Sequence, residues 1–583
     1  MKHGLIYFLL AALVIFSGCS SKDNSGPSAD VNSIESSDAD VSNPLIRKTL
    51  SGDVEGKNAG ENTWTWQGIP FAKPPVGDLR WKAPLDPEKW TGVRKTQEYC
   101  SICVQYSNVT PEGSNKPLLK GNEDCLFLNV WRPATGEKSL PVFFYIHGGG
   151  NIMGGANMSF QDGARFASRN NMVVVSINYR LGILGWFAHP AMREGINKLD
   201  DSGNYGTLDQ IKALEWVRDN IEQFGGNPDC VTIAGQSGGA LNVIALTTCP
   251  LAKGLFHGAI AMSGFSQSGT MEAADRKGEG MLLRLLKQDK LPVYYSISKN
   301  DEWKRGYLRS KDVEEIYGPA IAGFVPAEAV LAPLAIMGVY IDGTVFKMSP
   351  LKAFETGDYN RVPLILGSTK DELKTFLSSA LVSGQRMIDL HSKFDFENPN
   401  MGLEEIIGPD FKKVLPLLDI FAKIGKILFQ GYGVDNIARR AAEHQKDVYA
   451  YSFNWDDQPA PFDVLLGAAH ALDIPFLFGN FDDDLGMIES FSWSIKNSKG
   501  RTYLSNAIMS YFSALARTGD PNTGNSDLPE WQPWSNDPDG HKRIILDANK
   551  ICMSDEAVDT GLIEEPHVLI DKIAELLSNK GYP

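Results

Sequence analysis

Residues 230–248 read CVTIAGQSGGALNVIALTT, and the reading of this stretch decides the fold. Its opening, Cys230-Val231-Thr232-Ile233-Ala234, is short and rich in β-branched side chains, as expected of a buried strand. Its close, ALNVIALTT, is an apolar helix-compatible run. Between them stands Gly235-Gln236-Ser237-Gly238-Gly239, a G-x-S-x-G pattern at a strand-to-helix corner. A serine at the tip of so sharp a turn needs a strained backbone. Glycines two residues to either side let strand and helix approach without Cβ clashes. The helix N-terminus behind the serine favours negative charge developing on a bound molecule. An ordinary glycine-rich turn competes for the pentapeptide alone, and the apolar strand before it and helix after it argue against that reading. Ser237 is the candidate nucleophile.

The same alternation continues outward. PVFFYIHG (141–148), MVVVSIN (172–178), GAIAMSG (258–264) and VPLILG (362–367) are further short apolar runs bounded by glycine or polar residues, and each reads as a buried strand. Within TLDQIKALEWVRDNIEQFGG (207–226), Leu208, Ile211, Leu214, Val217, Ile221 and Phe224 recur every three or four residues and share one helical face. Gly225-Gly226 then supplies a helix stop. Strand, helix and strand at this spacing imply parallel strands joined by right-handed crossovers. The expectation is an α/β fold with a mostly parallel central sheet, helices on both faces and large helical insertions. Such sheets place their chemistry at the carboxyl ends of the strands.

A second glycine cluster, His147-Gly148-Gly149-Gly150, also follows a strand. Backbone N–H groups there can point at one spot and, with the amide of Gly238, form an oxyanion hole from Gly149, Gly150 and Gly238. A phosphate-binding loop would continue with Lys and Ser or Thr, which Asn151-Ile152 does not supply. His147 is expected to shape this loop rather than to act on a substrate.

The chain has 583 residues, 43% of them hydrophobic, and no repeat of 20–50 residues is visible. Its formal net charge of −15 argues against nucleic-acid partners and disfavours polyanionic substrates. Lys2 and His3 precede an apolar run from Leu5 to Phe16, too short to span a bilayer, followed by Ser17-Gly18-Cys19. Residues 1–18 read as an export signal. Small residues before a Cys resemble the lipobox of bacterial lipoproteins, which implies acylation of Cys19, although Phe16 departs from the usual Leu. An ordinary cleaved signal is the alternative. Residues 19–43, almost devoid of large apolar side chains after the Cys, are expected to form a flexible tether, and 44–583 a single catalytic domain. Contact with a membrane is expected only through the lipid anchor.

Seven cysteines suit an exported chain better than a cytosolic metal site. Cys100 and Cys103 form a CxxC with no second pair at zinc spacing, so no metal is expected. Cys230 and Cys249 flank a strand and helix that run up and back, which leaves a bridge between them and two free thiols as open readings. The pairing of Cys100 and Cys552 is left open.

Six segments stand in a shared order: WQGIPFAKPPVGDLRW (66–81), EDCLFLNVW (123–131), YIHGGG (145–150), NYRLGILGWF (178–187), GNYGTLDQIKALEWVRDNIEQFGGNP (203–228) and AGQSGGA (234–240). On these motifs the chain resembles a type-B carboxylesterase, the family that also holds cholinesterases and several fungal lipases, over residues 44–575. The resemblance implies the α/β-hydrolase fold and hydrolysis of a small-molecule ester through an acyl-enzyme, with no cofactor or metal.

A serine hydroxyl needs a general base, and the base needs an acid to orient it. The α/β-hydrolases supply them in the chain order Ser, acid, His. After VPLILG comes Ser368-Thr369-Lys370-Asp371-Glu372. The resemblance places the acid at Glu372, with Asp371 as the alternative, and a solvated charge at a strand end is the plain reading of either. The base is expected at His470 in GAAHALDIPFLFG (467–479), and His257 is expected to be structural. The resemblance further implies that Ser263 hydrogen-bonds the acid, that Arg80 and Glu123 form a buried ion pair, and that Cys103 and Cys125 form a loop disulfide. Cys103 is preferred to Cys100 because Cys-Val-Gln (103–105) fits the family's Cys-x-Gln.

Two departures bear on substrate. The family usually has Glu before the nucleophile, where this chain has Gln236. The loop from Cys103 to Cys125 has Tyr106 as its one aromatic residue and no Trp to hold a quaternary ammonium. Both point to neutral, fairly hydrophobic esters. An interfacial lipase or polyester hydrolase is the nearer rival, with AIAGFVPAEAVLAPLAIMGVY (320–340) as a lid or pocket wall; a packed helical subdomain is the plainer reading of that run. A catalytically silent, cholinesterase-like binding module is the rival of another class, and the presence of Ser237, an acid and His470 argues against it.

Overall fold

The computed structural model describes residues 43–106, 119–324, 338–382, 385–409, 411–481 and 488–558. The expected export signal, Cys19, most of the tether and the greater part of the 320–340 run lie outside the described residues. So does residues 559–583, the end of the expected catalytic domain.

An eleven-stranded sheet forms the centre. Its strands in chain order are β1 (Lys57–Gly60), β2 (Thr63–Pro70), β3 (Phe127–Pro133), β4 (Leu140–Ile146), β5 (Val173–Ile177), β6 (Gly226–Gln236), β7 (Gly258–Met262), β8 (Leu364–Thr369), β9 (Val448–Phe453), β10 (Arg543–Leu546) and β11 (Cys552–Ser554). Across the sheet they run β11-β10-β9-β8-β7-β6-β4-β5-β3-β2-β1. From β5 through β10 every pairing is parallel, and the antiparallel pairings are confined to the two margins. β4, β5 and β7 are buried along their whole length, which is why they read as unbroken apolar runs with no alternation.

Helices cover both faces. On one, α1 (Ala164–Asn170), α4 (Asp473–Phe478) and α5 (Ile495–Thr518) pack on one another and on the sheet; on the other lie α2 (Tyr205–Asn220) and α3 (Gly238–Thr248). The predicted face of α2 is buried, including Leu208, Ile211, Leu214 and Val217. The helix ends in a short turn, Ile221–Phe224, and Gly225 adopts φ +79°, where a Cβ would lie 2.3 Å from the Arg132 guanidinium. Glycine is therefore required both by the backbone and by its neighbour. Helices Met271–Gln288, Asp301–Arg309 and Val313–Phe324 belong to an insertion with its own apolar cluster, in which Met281, Leu282, Leu285, Leu308 and Tyr317 pack with Trp81 and Phe187.

The expected loop disulfide between Cys103 and Cys125 is formed. Cys100, Cys230, Cys249 and Cys552 are free thiols. The bridge left open between Cys230 and Cys249 is not made, because the two sulfurs face different surroundings. Cys230 Sγ lies 3.3 Å from the carbonyl of Ala516 in α5, while Cys249 Sγ lies 3.4 Å from the carbonyl of Val345. Arg80 and Glu123 form the expected pair, with Arg80 Nε donating to Glu123 Oε2 at 2.7 Å.

Candidate active site

Ser237 stands directly after β6 and before α3, with φ 57° and ψ −120°. A non-glycine residue in this region carries about 1–3 kcal/mol of backbone strain, which the surrounding packing must hold. The flanking glycines show what that packing is. A Cβ on Gly239 would sit 2.0 Å from the carbonyl oxygen of Ile146 at the end of β4, and one on Gly235 would sit 2.6 Å from the backbone of Gly239. The Ser237 N–H donates to the Met262 carbonyl at 2.8 Å, which prolongs the β6–β7 ladder up to the turn itself.

The glycine run after β4 comes to the same place. A Cβ on Gly238 would lie 2.7 Å from the Gly150 nitrogen, and one on Gly148 would lie 3.3 Å from the Ser237 Cβ. Gly149 and Gly150 have φ +101° and +61°, the left-handed side of backbone space that favours glycine. Among the described residues the N–H groups of Gly149, Gly150 and Gly238 donate no hydrogen bond. His147 lies beneath this loop, stacked on Tyr179 with ring centroids 4.5 Å apart. Burial holds its imidazole well down, at about 4, so it is neutral at ordinary pH.

Glu372 and His470 meet behind the elbow. Glu372 is fully buried after β8, accepts from the Thr369 N–H at 2.8 Å through Oε1, and accepts from His470 Nδ1 through Oε2. His470 is buried between the rings of Phe376 and Phe429, at centroid distances of 5.2 and 5.3 Å. Its other nitrogen, Nε2, lies 3.2 Å from Gln236 Nε2. Asp371 does not touch the imidazole. Its N–H donates to the Ala468 carbonyl at 3.0 Å and its Oδ2 accepts from the Ala468 N–H at 3.1 Å, so it grips the loop two residues ahead of His470.

Ser263 departs from its expected part. It is fully buried at φ 56°, but its Oγ has no hydrogen-bond partner among the described residues, and the expected bond to Glu372 is not made. The Glu372 oxygens already take Thr369 N–H and His470 Nδ1. His257 takes the structural place expected of it, with its Nδ1 accepting from Val231 N–H at 3.3 Å beside β6.

Sequence reasoning passed over Asp473 and Tyr451. Tyr451 Oη donates to Asp473 Oδ2 at 2.8 Å, and burial pushes that carboxyl up to about 7. Its one sequence signal was an acidic residue opening an otherwise apolar run, DIPFLF (473–478).

Residues 43–560 match the model of the carboxylesterase family. The chain belongs to that family. It is a carboxylic ester hydrolase of the serine type, built on the α/β-hydrolase fold. Over 524 residues, 87% of this chain and 99% of the other, this carboxylesterase is 33% identical to the para-nitrobenzyl esterase of Bacillus subtilis (strain 168). It is 31% identical to the human cocaine esterase over 529 residues, covering 83% of this chain and 85% of that one. Among solved structures, a PNB esterase superposes with a TM-score of 0.69 at 30% identity, over 90% of this chain and 99% of that one. A Geobacillus stearothermophilus carboxylesterase superposes at 0.65 with 28% identity, over 88% of this chain and 98% of that one.

Proposed function

We propose that Ser237, His470 and Glu372 are the catalytic residues of this carboxylesterase and that its substrates are neutral, fairly hydrophobic esters. The observation that carries the reading is the hydrogen bond from His470 Nδ1 to the buried Glu372 carboxylate, which leaves Nε2 as the proton acceptor on the side of the serine elbow. Ser237 attacks the ester carbonyl while His470 Nε2 takes the hydroxyl proton. The Gly149, Gly150 and Gly238 amides, free of other acceptors, receive the tetrahedral oxyanion. Glu372 stabilises the imidazolium, which then protonates the leaving alcohol, and water repeats the sequence on the acyl-enzyme. The neutral amide of Gln236 next to the reacting groups offers a cationic substrate no charge partner, which supports the preference for uncharged esters. The Bacillus relative is a para-nitrobenzyl esterase, and a para-nitrobenzyl ester is uncharged, which accords with such substrates.

The same proposal places the enzyme outside the cytoplasm, exported by residues 1–18 and held to a membrane through acylated Cys19, with residues 44–583 as the catalytic domain. Ser17-Gly18-Cys19 after a short apolar run supports this. Hydrolysis of p-nitrophenyl esters of graded acyl length by wild type and Ser237→Ala tests the chemistry, and equal rates would overturn it. The acyl-length series, run below and above the solubility limit, separates a soluble-ester enzyme from an interfacial one. Incorporation of a clickable fatty acid into wild type but not Cys19→Ser tests the anchor.

A further inference from the structure

The nitrogen of His470 that has to receive the Ser237 proton already has a partner. Gln236 Nε2 lies 3.2 Å from His470 Nε2, with both side chains buried, while Ser237 Oγ makes no hydrogen bond among the described residues. Because the Glu372 carboxylate accepts from Nδ1, a neutral imidazole here carries its one proton on that nitrogen and presents a lone pair at Nε2. A lone pair calls for a donor, so the –NH₂ end of the amide faces the ring.

The groups around the imidazole are few. Glu372 comes from the segment after β8, Asp473 from α4 with the Tyr451 hydroxyl of β9 on it, and the Phe376 and Phe429 rings lie against it. Among the described residues, Gln236, from the elbow, is the one that reaches Nε2. We infer that Gln236 is a positioning residue that keeps His470 neutral and ready to accept a proton. A hydrogen bond given to the neutral form of a base disfavours its protonation. When an ester enters, the Ser237 hydroxyl replaces the amide at Nε2, one neutral donor for another, and the base meets the serine unprotonated. A carboxylate at 236 reverses the sign, since it can only accept and so favours the imidazolium.

This inference rests on the assignment of Ser237 and His470 proposed above. Its test is the pH profile of kcat/KM on p-nitrophenyl butyrate for the full-length wild type, Gln236→Met and Gln236→Glu. Rates are taken per active site, counted by stoichiometric inactivation with a fluorophosphonate. That count confines the profile to folded enzyme, and the midpoint of its acid limb does not depend on the height of the plateau. The acid midpoint should rise in the order Gln, Met, Glu, with the Glu variant displaced by about one pH unit or more. A Met midpoint equal to or below that of wild type, or an unmoved Glu midpoint, overturns the inference. If Ser237→Ala is inert while the three midpoints coincide, this inference alone fails; if Ser237→Ala keeps the wild-type rate, the catalytic assignment itself fails.

Discussion

Asp371 and Glu372 are neighbours in the chain and hold the same loop at different points. Glu372 receives the imidazole of His470, while Asp371 is bonded in both directions to the backbone of Ala468. Asp371 is also paired with Lys374 at 3.0 Å. The two carboxylates therefore differ in kind, one bonded to the imidazole of His470 and the other to the backbone of the loop that carries it.

Glu372→Gln should lower kcat by about 10³–10⁴-fold with little change in KM, because an amide leaves the imidazolium of the transition state unsupported. Asp371→Ala should cost stability and about 10–100-fold in rate by loosening the Ala468 anchor. Steady-state kinetics paired with thermal melts check both. Equal losses of kcat with no change in melting would contradict the division of labour.

The elbow glycines make a second prediction. Gly239→Ala brings a Cβ to 2.0 Å from a β4 carbonyl and should abolish activity and soluble folded protein together. Gly306→Ala, within the helix Asp301–Arg309 and with nothing within 4 Å of the new Cβ, should instead stabilise by about 0.5–1 kcal/mol. Chemical denaturation compares the two.

Asp473 should leave a mark on the pH dependence of stability. Burial is the main cause that raises its carboxyl to about 7, helped by the nearby charge of Glu372, so the folded state holds this proton more tightly than the unfolded chain does. The stability it contributes is present below the ordinary carboxylate range near 4 and is lost as pH rises through about 7. Asp473→Asn should remove that fall, so the difference in unfolding free energy between variant and wild type grows in the variant's favour from pH 5 to pH 8. A constant difference would contradict it.

Charge at position 236 should also move specificity. Gln236→Glu is expected to raise the ratio of kcat/KM for a choline ester over its neutral isosteric ester by on the order of tenfold, through a carboxylate close to the site of attack. Parallel assays at one ionic strength measure the ratio.

Thiol titration of the denatured, unreduced protein should find four free thiols from Cys100, Cys230, Cys249 and Cys552, plus a fifth only where Cys19 is unmodified. Reduction of Cys103–Cys125, which closes a loop of 22 residues, should cost about 2–4 kcal/mol of stability, read as a lower denaturation midpoint.

Much of this was legible locally. The apolar run of 230–234, the G-x-S-x-G corner and the glycine run at 148–150 are short-range patterns whose meaning depends on backbone sterics and strand periodicity. The central parallel strands were legible for the same reason: burial on both faces leaves an unbroken apolar signature. β2 was not legible as a strand, because a bulge at Gly68, with a register shift between Trp66 and Ile69, interrupts its alternation.

The sequence by itself thus determined the fold class and the strand-to-helix corner at Ser237, and narrowed the partners of His470 to the pair Asp371-Glu372. Only the tertiary structure decided which of two adjacent carboxylates reaches His470, that Ser263 Oγ finds no partner among the described residues, that Cys230 and Cys249 face apart, and that the amide of Gln236 reaches His470 Nε2. Each of these depends on where β8, the loop before α4 and the elbow converge, across separations of 98 residues from Glu372 to His470 and 234 from Gln236 to His470. Local propensity acts over a few residues, whereas the direction of a side chain at such a junction is set by packing from distant parts of the chain.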